Sequence, residues 1–254
     1  WSPDGTQLVC SALHQGQTDL YRFLPLSGSF VQLTDDLQDD LFPVWNPEGT
    51  KIYHSSTRVS SKPDQQVLRY DVNEKAFDIW VYDLETKELA PVTHSPGMNE
   101  YAVGMPSSFE LLLRSDQTGI LNLQQHNVFM PDSSYQTNAP VGLYRAAISD
   151  SLLAYTTTSM GKLQICIVPR ADALHAQVAT RTILRQQSDK ASSQARLKKD
   201  AAHKQDSVRL ANAYNLAHQD SIAAKEALSD STKAPNKTVK YYVFDDDDDE
   251  KKPQ

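Results

Sequence analysis

The chain has 254 residues, 39% of them hydrophobic, and a formal net charge of −7, a length that allows a sizeable core. Charge is unevenly spread: residues 1–170 carry 11 Lys and Arg against 19 Asp and Glu, residues 171–244 carry 12 against 7, and the last ten return to acidic. An acidic N-terminal region excludes the basic patch that nucleic-acid binding needs, and no apolar run reaches the ~20 residues of a membrane-spanning helix.

The chain opens on WSPDGT (Trp1–Thr6), and WNPEGT follows at Trp45–Thr50. Weaker copies lie around Met105-Pro106-Ser107 and at ISDSLLAYTT from Ile148. After each copy comes a short apolar run (QLVCSAL, KIYHSST, ELLLRSD, LLAYTTT), a polar turn, and an alternating run (DLYRFLP, DIWVYDL, ILNLQQH, LQICIVP). The first two units close with SGSFVQLT and ETKELAPVT, and the second carries a polar insertion from Val59 to Phe77. Pro presets φ in such a turn, Asp or Glu accepts local backbone bonds, and Gly supplies positive φ. Runs rich in β-branched and aromatic residues between turns read as strands. The fold class expected is all-β: about four strands per unit is the blade of a β-propeller, with a β-sandwich as the alternative. Trp1, Trp45 and Trp80 stand beside turns and strands and are expected to be buried. Cys10 and Cys166 lie in apolar runs and fit neither a disulfide scaffold nor a metal pair, so both read as small buried side chains.

From Arg170 the composition shifts to Ala, Gln, Lys, Ser and Asp. The domains expected are propeller blades over 1–170, a helical or disordered linker over 171–236, and a β-prone segment with an acidic tail over 237–254. In the linker Leu210, Leu216, Ile222 and Leu228 are spaced by six, which sustains no helical core face. A marginal helix or disordered linker is expected, with a partner-binding helix as the alternative. KTVKYYVF (Lys237–Phe244) alternates and is aromatic, so Tyr241, Tyr242 and Phe244 are candidates for adding an edge strand to this protein or to a partner.

Chemistry is sparse. The chain has no GxSxG, HExxH or GxxxxGK[ST] motif. Its seven histidines lack ligand spacing, and His54, on an expected strand, reads as structural. The best candidate site is DDLQDD, with Asp35, Asp36, Asp39 and Asp40 entering the strand FPVW. The first reading of these aspartates is that they end turns and guard strand edges. Docking of a basic peptide, through Asp39 and Asp40 above all, and Ca²⁺ binding are the alternatives, although calcium wants six to eight oxygens and a glycine-bearing loop. No cofactor is expected.

The repeats WSPDGT…DLYRF…QLTDD and WNPEGT…DIWVYDLETKELAPVT resemble the P-D-G propeller units of TolB-like proteins. LTDDLQDDLFPVWNPEGTKIYHSSTR and PVTHSPGMNEYAV are similar more narrowly to large Bacteroidota envelope proteins. The resemblance covers about residues 1–170. It implies a periplasmic or outer-membrane-associated module that binds envelope proteins, not a catalyst. A gating or substrate-binding propeller of a serine peptidase is the alternative, its hydrolase domain lying outside this chain. A carbohydrate-binding propeller is the third reading and would want aromatics on loop tips. Propellers of this class have six to eight blades, so further blades are expected upstream of Trp1. The resemblance also makes Asp-Ser pairs candidates for O-glycosylation, at Ser151, Ser207, Ser221 and Ser231. Asn236-Lys237-Thr238 fits an N-glycosylation sequon, relevant in a eukaryotic secretory context.

Overall fold

A computed structural model describes residues 1–59, 76–130, 132–173 and 178–229. Among the described residues fourteen strands form four antiparallel sheets, each a meander. Blade 1 contains β1 (Leu8–His14), β2 (Gln17–Leu24) and β3 (Ser29–Gln32). Blade 2 contains β4 (Asp40–Trp45), β5 (Lys51–Ser56), β6 (Asp78–Asp83) and β7 (Leu89–Pro91). Blade 3 contains β8 (Glu100–Ser107), β9 (Glu110–Ser115), β10 (Asn122–Asn127) and β11 (Ser133–Tyr135), and blade 4 contains β12 (Arg145–Ile148), β13 (Leu152–Ser159) and β14 (Lys162–Pro169). β8 packs against both β4 and β12, so the leading strands of three blades converge. This is the β-propeller arrangement expected from the repeat. Most of the insertion between β5 and β6 lies outside the described residues.

The two clear copies of the turn phrase fold alike. Gln7 N donates to Ser2 Oγ at 2.9 Å, and Lys51 N donates to Asn46 Oδ1 at 2.8 Å. Gly5 N and Gly49 N donate to the carbonyls of Ser2 and Asn46, at 2.9 and 3.0 Å, with both glycines at φ +70°. The third copy differs from expectation: Met105 to Ser107 end β8, and the turn is Ser108-Phe109. Pro106 is therefore a strand residue. Trp45 and Trp80 are buried, but Trp1 is 68% exposed, against expectation: it precedes β1, whereas Trp45 ends β4 and packs with Leu20, Ile52 and Tyr82. Cys10 and Cys166 are free and only half-buried.

One device closes three of the blades. Leu20, Ile79 and Leu123 are fully buried, each on the strand that follows the outer turn. Their amides donate to Thr34 Oγ1, Thr93 Oγ1 and Thr137 Oγ1 at 3.0, 2.9 and 2.9 Å, each across 14 residues. Their carbonyls accept from the amides of Leu33, Val92 and Gln136, each just before the threonine, at 2.8, 2.8 and 2.9 Å. Buried backbone groups at the ends of short strands need such partners.

Between blades the contacts are apolar. Leu20 packs with Trp45, Ile52 and Tyr82; Tyr53 and Ile79 pack with Ala102, Leu111 and Leu113; Leu112, Leu123, Leu143 and Leu153 form a third cluster. Each sheet thus buries one face against the next, which drives assembly of the arc.

The chain divides into two compact units between Lys190 and Ala191. The first holds the blades, a short α1 (Arg170–Ala173) and the start of α2 (Ile183–Ser229). Thr182 caps α2, accepting Arg185 N on Oγ1 at 3.2 Å, and its own amide donates to the Thr118 carbonyl at 2.9 Å. Gly119 (φ +89°) permits this approach, since a Cβ there would collide with Thr182 Oγ1. In the second unit the helix continues, and side chains 191–215 are exposed. The linker is thus helical over 47 residues, a length at which local hydrogen bonds overcome nucleation. The missing apolar stripe agrees with its exposure.

Thr34→Val, Thr93→Val and Thr137→Val each orphan a buried amide and are expected to cost about 1–3 kcal/mol, whereas the serine variants retain most of the stability. Urea denaturation of the six variants checks this.

Candidate functional site

The acidic loop enters β4, the leading strand of blade 2. Its last residue, Asp40, and Arg58, two residues beyond the end of β5, are both buried, with side chains 0% exposed. Arg58 Nη1 donates to Asp40 Oδ1 at 2.8 Å, Nη2 to Asp40 Oδ2 at 3.0 Å, and Nε to Asp36 Oδ2 at 3.0 Å. His54 Nε2 lies 3.4 Å from Asp40 Oδ1, and the Trp80 ring lies beneath the Arg58 guanidinium, 5.9 Å away. Burial alone would raise the Asp40 carboxyl, but the charges and hydrogen bonds of His54 and Arg58 reverse this and hold it well below the usual carboxylate range. Burial works against the Arg58 charge, and Asp40 and Asp36 outweigh it, so its pKa is raised.

The four aspartates therefore do not act as one group. Asp36 and Asp40 bind Arg58, Asp39 N donates to Thr57 Oγ1 at 3.0 Å, and Asp35 is exposed. Among the described residues no group of three or more His, Cys, Asp or Glu could hold a metal ion. Sequence reasoning paired the aspartates with one another and missed Arg58, the cation that uses them. The signal was available, since an arginine directly after the apolar run KIYHSST needs a partner. His54 is structural in this network.

A second concave region lies between blades 2 and 3, a cleft of about 400 Å³ lined by Thr93, His94, Glu100, His126, Phe129 and Ser133 among others. Glu100 is buried; burial raises its pKa, and hydrogen bonds from Thr93 and Ser95 offset this in part. His126 Nδ1 lies 2.7 Å from Ser133 Oγ, and burial lowers the histidine's pKa. Among the described residues no carboxylate is hydrogen-bonded to His126. Beside this cleft the loop tips carry exposed Phe109, Phe129 and Met130, and Val128 N donates to the Phe109 carbonyl at 3.0 Å, joining the two loops.

Ser151 is exposed in the turn between β12 and β13. Ser207 lies inside α2, exposed, and its hydroxyl donates to the His203 carbonyl at 2.9 Å; Ser221 falls within the same helix. Ser231, Tyr241, Tyr242 and Phe244 lie outside the described residues. No helix among the described residues is long and apolar enough to cross a membrane.

No family model matches the chain, and no curated protein matches it. Among solved structures it is similar to TolB from Acinetobacter baumannii, with a TM-score of 0.55 and 15% identity over 72% of this chain and 42% of that one. It is also similar to a TolB-type protein from Agrobacterium tumefaciens, with a TM-score of 0.52 and 17% identity over 69% and 61% of the two chains. A puromycin-hydrolyzing peptidase from Mycobacterium tuberculosis aligns with a TM-score of 0.50 and 18% identity over 71% and 30%. The chain thus shares the TolB-like propeller fold and spans less than two thirds of the length of these structures.

Arg58→Met strips the compensating cation from two carboxylates and is expected to cost about 3–5 kcal/mol at neutral pH. The folded-state pKa of Asp40 lies below its unfolded value of 3.8, so its stabilisation is present above that value and is lost as pH falls below it. The gap in stability between wild type and Arg58→Met is therefore expected to narrow as pH falls through 4 toward 3, measured by denaturation at each pH (about one unit apart).

Proposed function

We propose that this chain is a non-catalytic propeller module of the cell envelope that binds proteins through the rim of blade 3. The observation that carries the reading is the exposed apolar set Phe109, Phe129 and Met130, 50%, 78% and 64% exposed, on two joined loop tips. Apolar side chains grouped at a rim favour a protein partner. Buried ionisable groups support the same reading: Arg58, Asp36, Asp40 and His54 pair with one another rather than facing a substrate. Placement in the periplasm or at the outer membrane, and a role in scaffolding an assembly there, follow from the resemblance to TolB-like and Bacteroidota envelope proteins.

A second reading, the propeller of a serine peptidase whose catalytic domain lies outside this chain, is favoured by the likeness to the mycobacterial peptidase. The coding sequence beyond Gln254 separates the two. A GxSxG turn within an α/β pattern supports the peptidase, and ten-residue amphipathic strands support an outer-membrane assembly.

A photoreactive residue in place of Phe129 is expected to give one discrete crosslinked adduct in cells, and Phe109→Ser in the same chain to abolish it. Absence of any adduct, or an adduct indifferent to Phe109→Ser, would contradict rim binding.

A further inference from the structure

Where the leading strands converge, two arginines lie against one aromatic ring, neither in an ion pair among the described residues. Arg114, on β9, is 3% exposed. Its Cζ lies 5.2 Å from the centre of the Phe42 ring and 5.0 Å from that of Tyr101. Arg145, exposed on β12, sets its own Cζ 4.9 Å from the same Phe42 ring. Three leading strands therefore contribute, β4 with Phe42, β8 with Tyr101 and β12 with Arg145.

The backbone holds this arrangement at a cost. Phe42 has φ +53°, unusual for a bulky residue, at a register shift between Leu41 and Val44. A bulge of this kind re-aims a side chain, here onto Tyr101, whose ring centre is 5.4 Å away in an edge-on contact.

Arg114 is incompletely satisfied. Its Nη1 donates to the carbonyls of Leu143 and Tyr144, while Nε is buried with no hydrogen-bond partner. Neither arginine has an ion pair among the described residues. The nearby Asp116 accepts Asn99 N and Asn99 Nδ2, both at 2.8 Å. Burial and the like charge of Arg145 pull the Arg114 pKa down to about 10. In a chain of net charge −7, two cations have been brought together where each opposes the other.

We propose that Arg114, Arg145, Phe42 and Tyr101 form a binding site for a carboxylate of a peptide segment. An anion bound at the exposed Arg145 guanidinium offsets the like charge that it sets against Arg114. A carboxylate suits the arrangement because it is a planar acceptor that matches an arginine fork, and Arg145 is exposed to receive it. Phe42 and Tyr101, with Phe77 tilted against Tyr101 at 5.6 Å, give the adjoining residue of the peptide an apolar wall. This site deepens the protein-binding reading and rests on it, but it sits apart from the blade 3 rim and fails or stands separately.

The test is fluorescence polarisation with the 254-residue chain and three fluorescein-labelled peptides. These are Ala-Ala-Phe with a free C-terminus, the same peptide as its amide, and Ala-Asp-Phe amide. The expected result is binding of at least one acidic peptide about tenfold tighter than the neutral amide. A preference for the free acid assigns the site to a chain terminus; a preference for the Asp peptide assigns it to an acidic side chain. Arg145→Gln is expected to erase the preference and Arg145→Lys to keep part of it, with melting temperatures confirming that both fold. Equal binding of acidic and neutral peptides, no binding of either acidic peptide, or a preference unchanged in Arg145→Gln would overturn the proposal. So would inorganic phosphate displacing the acidic peptide with the peptide's own affinity. Loss of the Phe129 adduct with peptide binding intact would reject the rim and leave this site standing.

Discussion

A short outer strand has to end somewhere, and its last backbone groups then need partners out of reach of water. In blades 1, 2 and 3 that constraint is met in one way. The amide of Leu20, Ile79 or Leu123 is taken by a threonine hydroxyl 14 residues on, and the carbonyl by the residue before that threonine. With both groups satisfied, each of these residues can lie fully buried and pack against the next blade. The rest of the arc follows from this clasp, because a sheet whose outer segment peeled away would lose the apolar face that its neighbour covers.

Packing of this kind fixes where polar groups can go. Arg58 is placed by β5 above Trp80 and is tolerated there because Asp36 and Asp40 arrive from the turn before β4. Such an ion network adds little net stability over an apolar core, but losing one member is costly. Its value lies in registering the loop at residues 35–39 against blade 2. Arg114 shows the opposite case, a buried cation set against rings and carbonyls with no ion pair among the described residues. The contrast between these two arginines separates structure from a candidate site.

Much of the fold was legible in the sequence because its signals are local. Pro and Gly in WSPDGT and WNPEGT act within six residues, and strand alternation acts within eight. The outer pairing segments QLT and PVT were also readable, although the matching Thr137 in blade 3 was not, since its surroundings lack the turn phrase. Other features depend on packing between distant segments. That Trp45 is buried while Trp1 is exposed reflects Leu20, Ile52 and Tyr82, which pack against Trp45. Arg58 and the aspartates are about 20 residues apart in sequence, and Phe42, Tyr101, Arg114 and Arg145 come from three blades. An arginine within ELLLRSD was the one available hint of that site, since a charge in an apolar run demands an explanation. The helix of α2 rests on chain length and composition rather than on pattern, since Leu210, Leu216, Ile222 and Leu228 are spaced by six.

The clasped blades form a rigid platform, whereas the side chains of residues 191–215 in α2 are exposed. Amide hydrogen exchange resolved by residue tests this most directly. The account predicts that Leu20, Ile79 and Leu123 are among the slowest amides in the chain, while those of residues 191–215 exchange orders of magnitude faster. Helix amides protected as strongly as Ile79, or clasp amides exchanging at the rate of exposed turns, would contradict it.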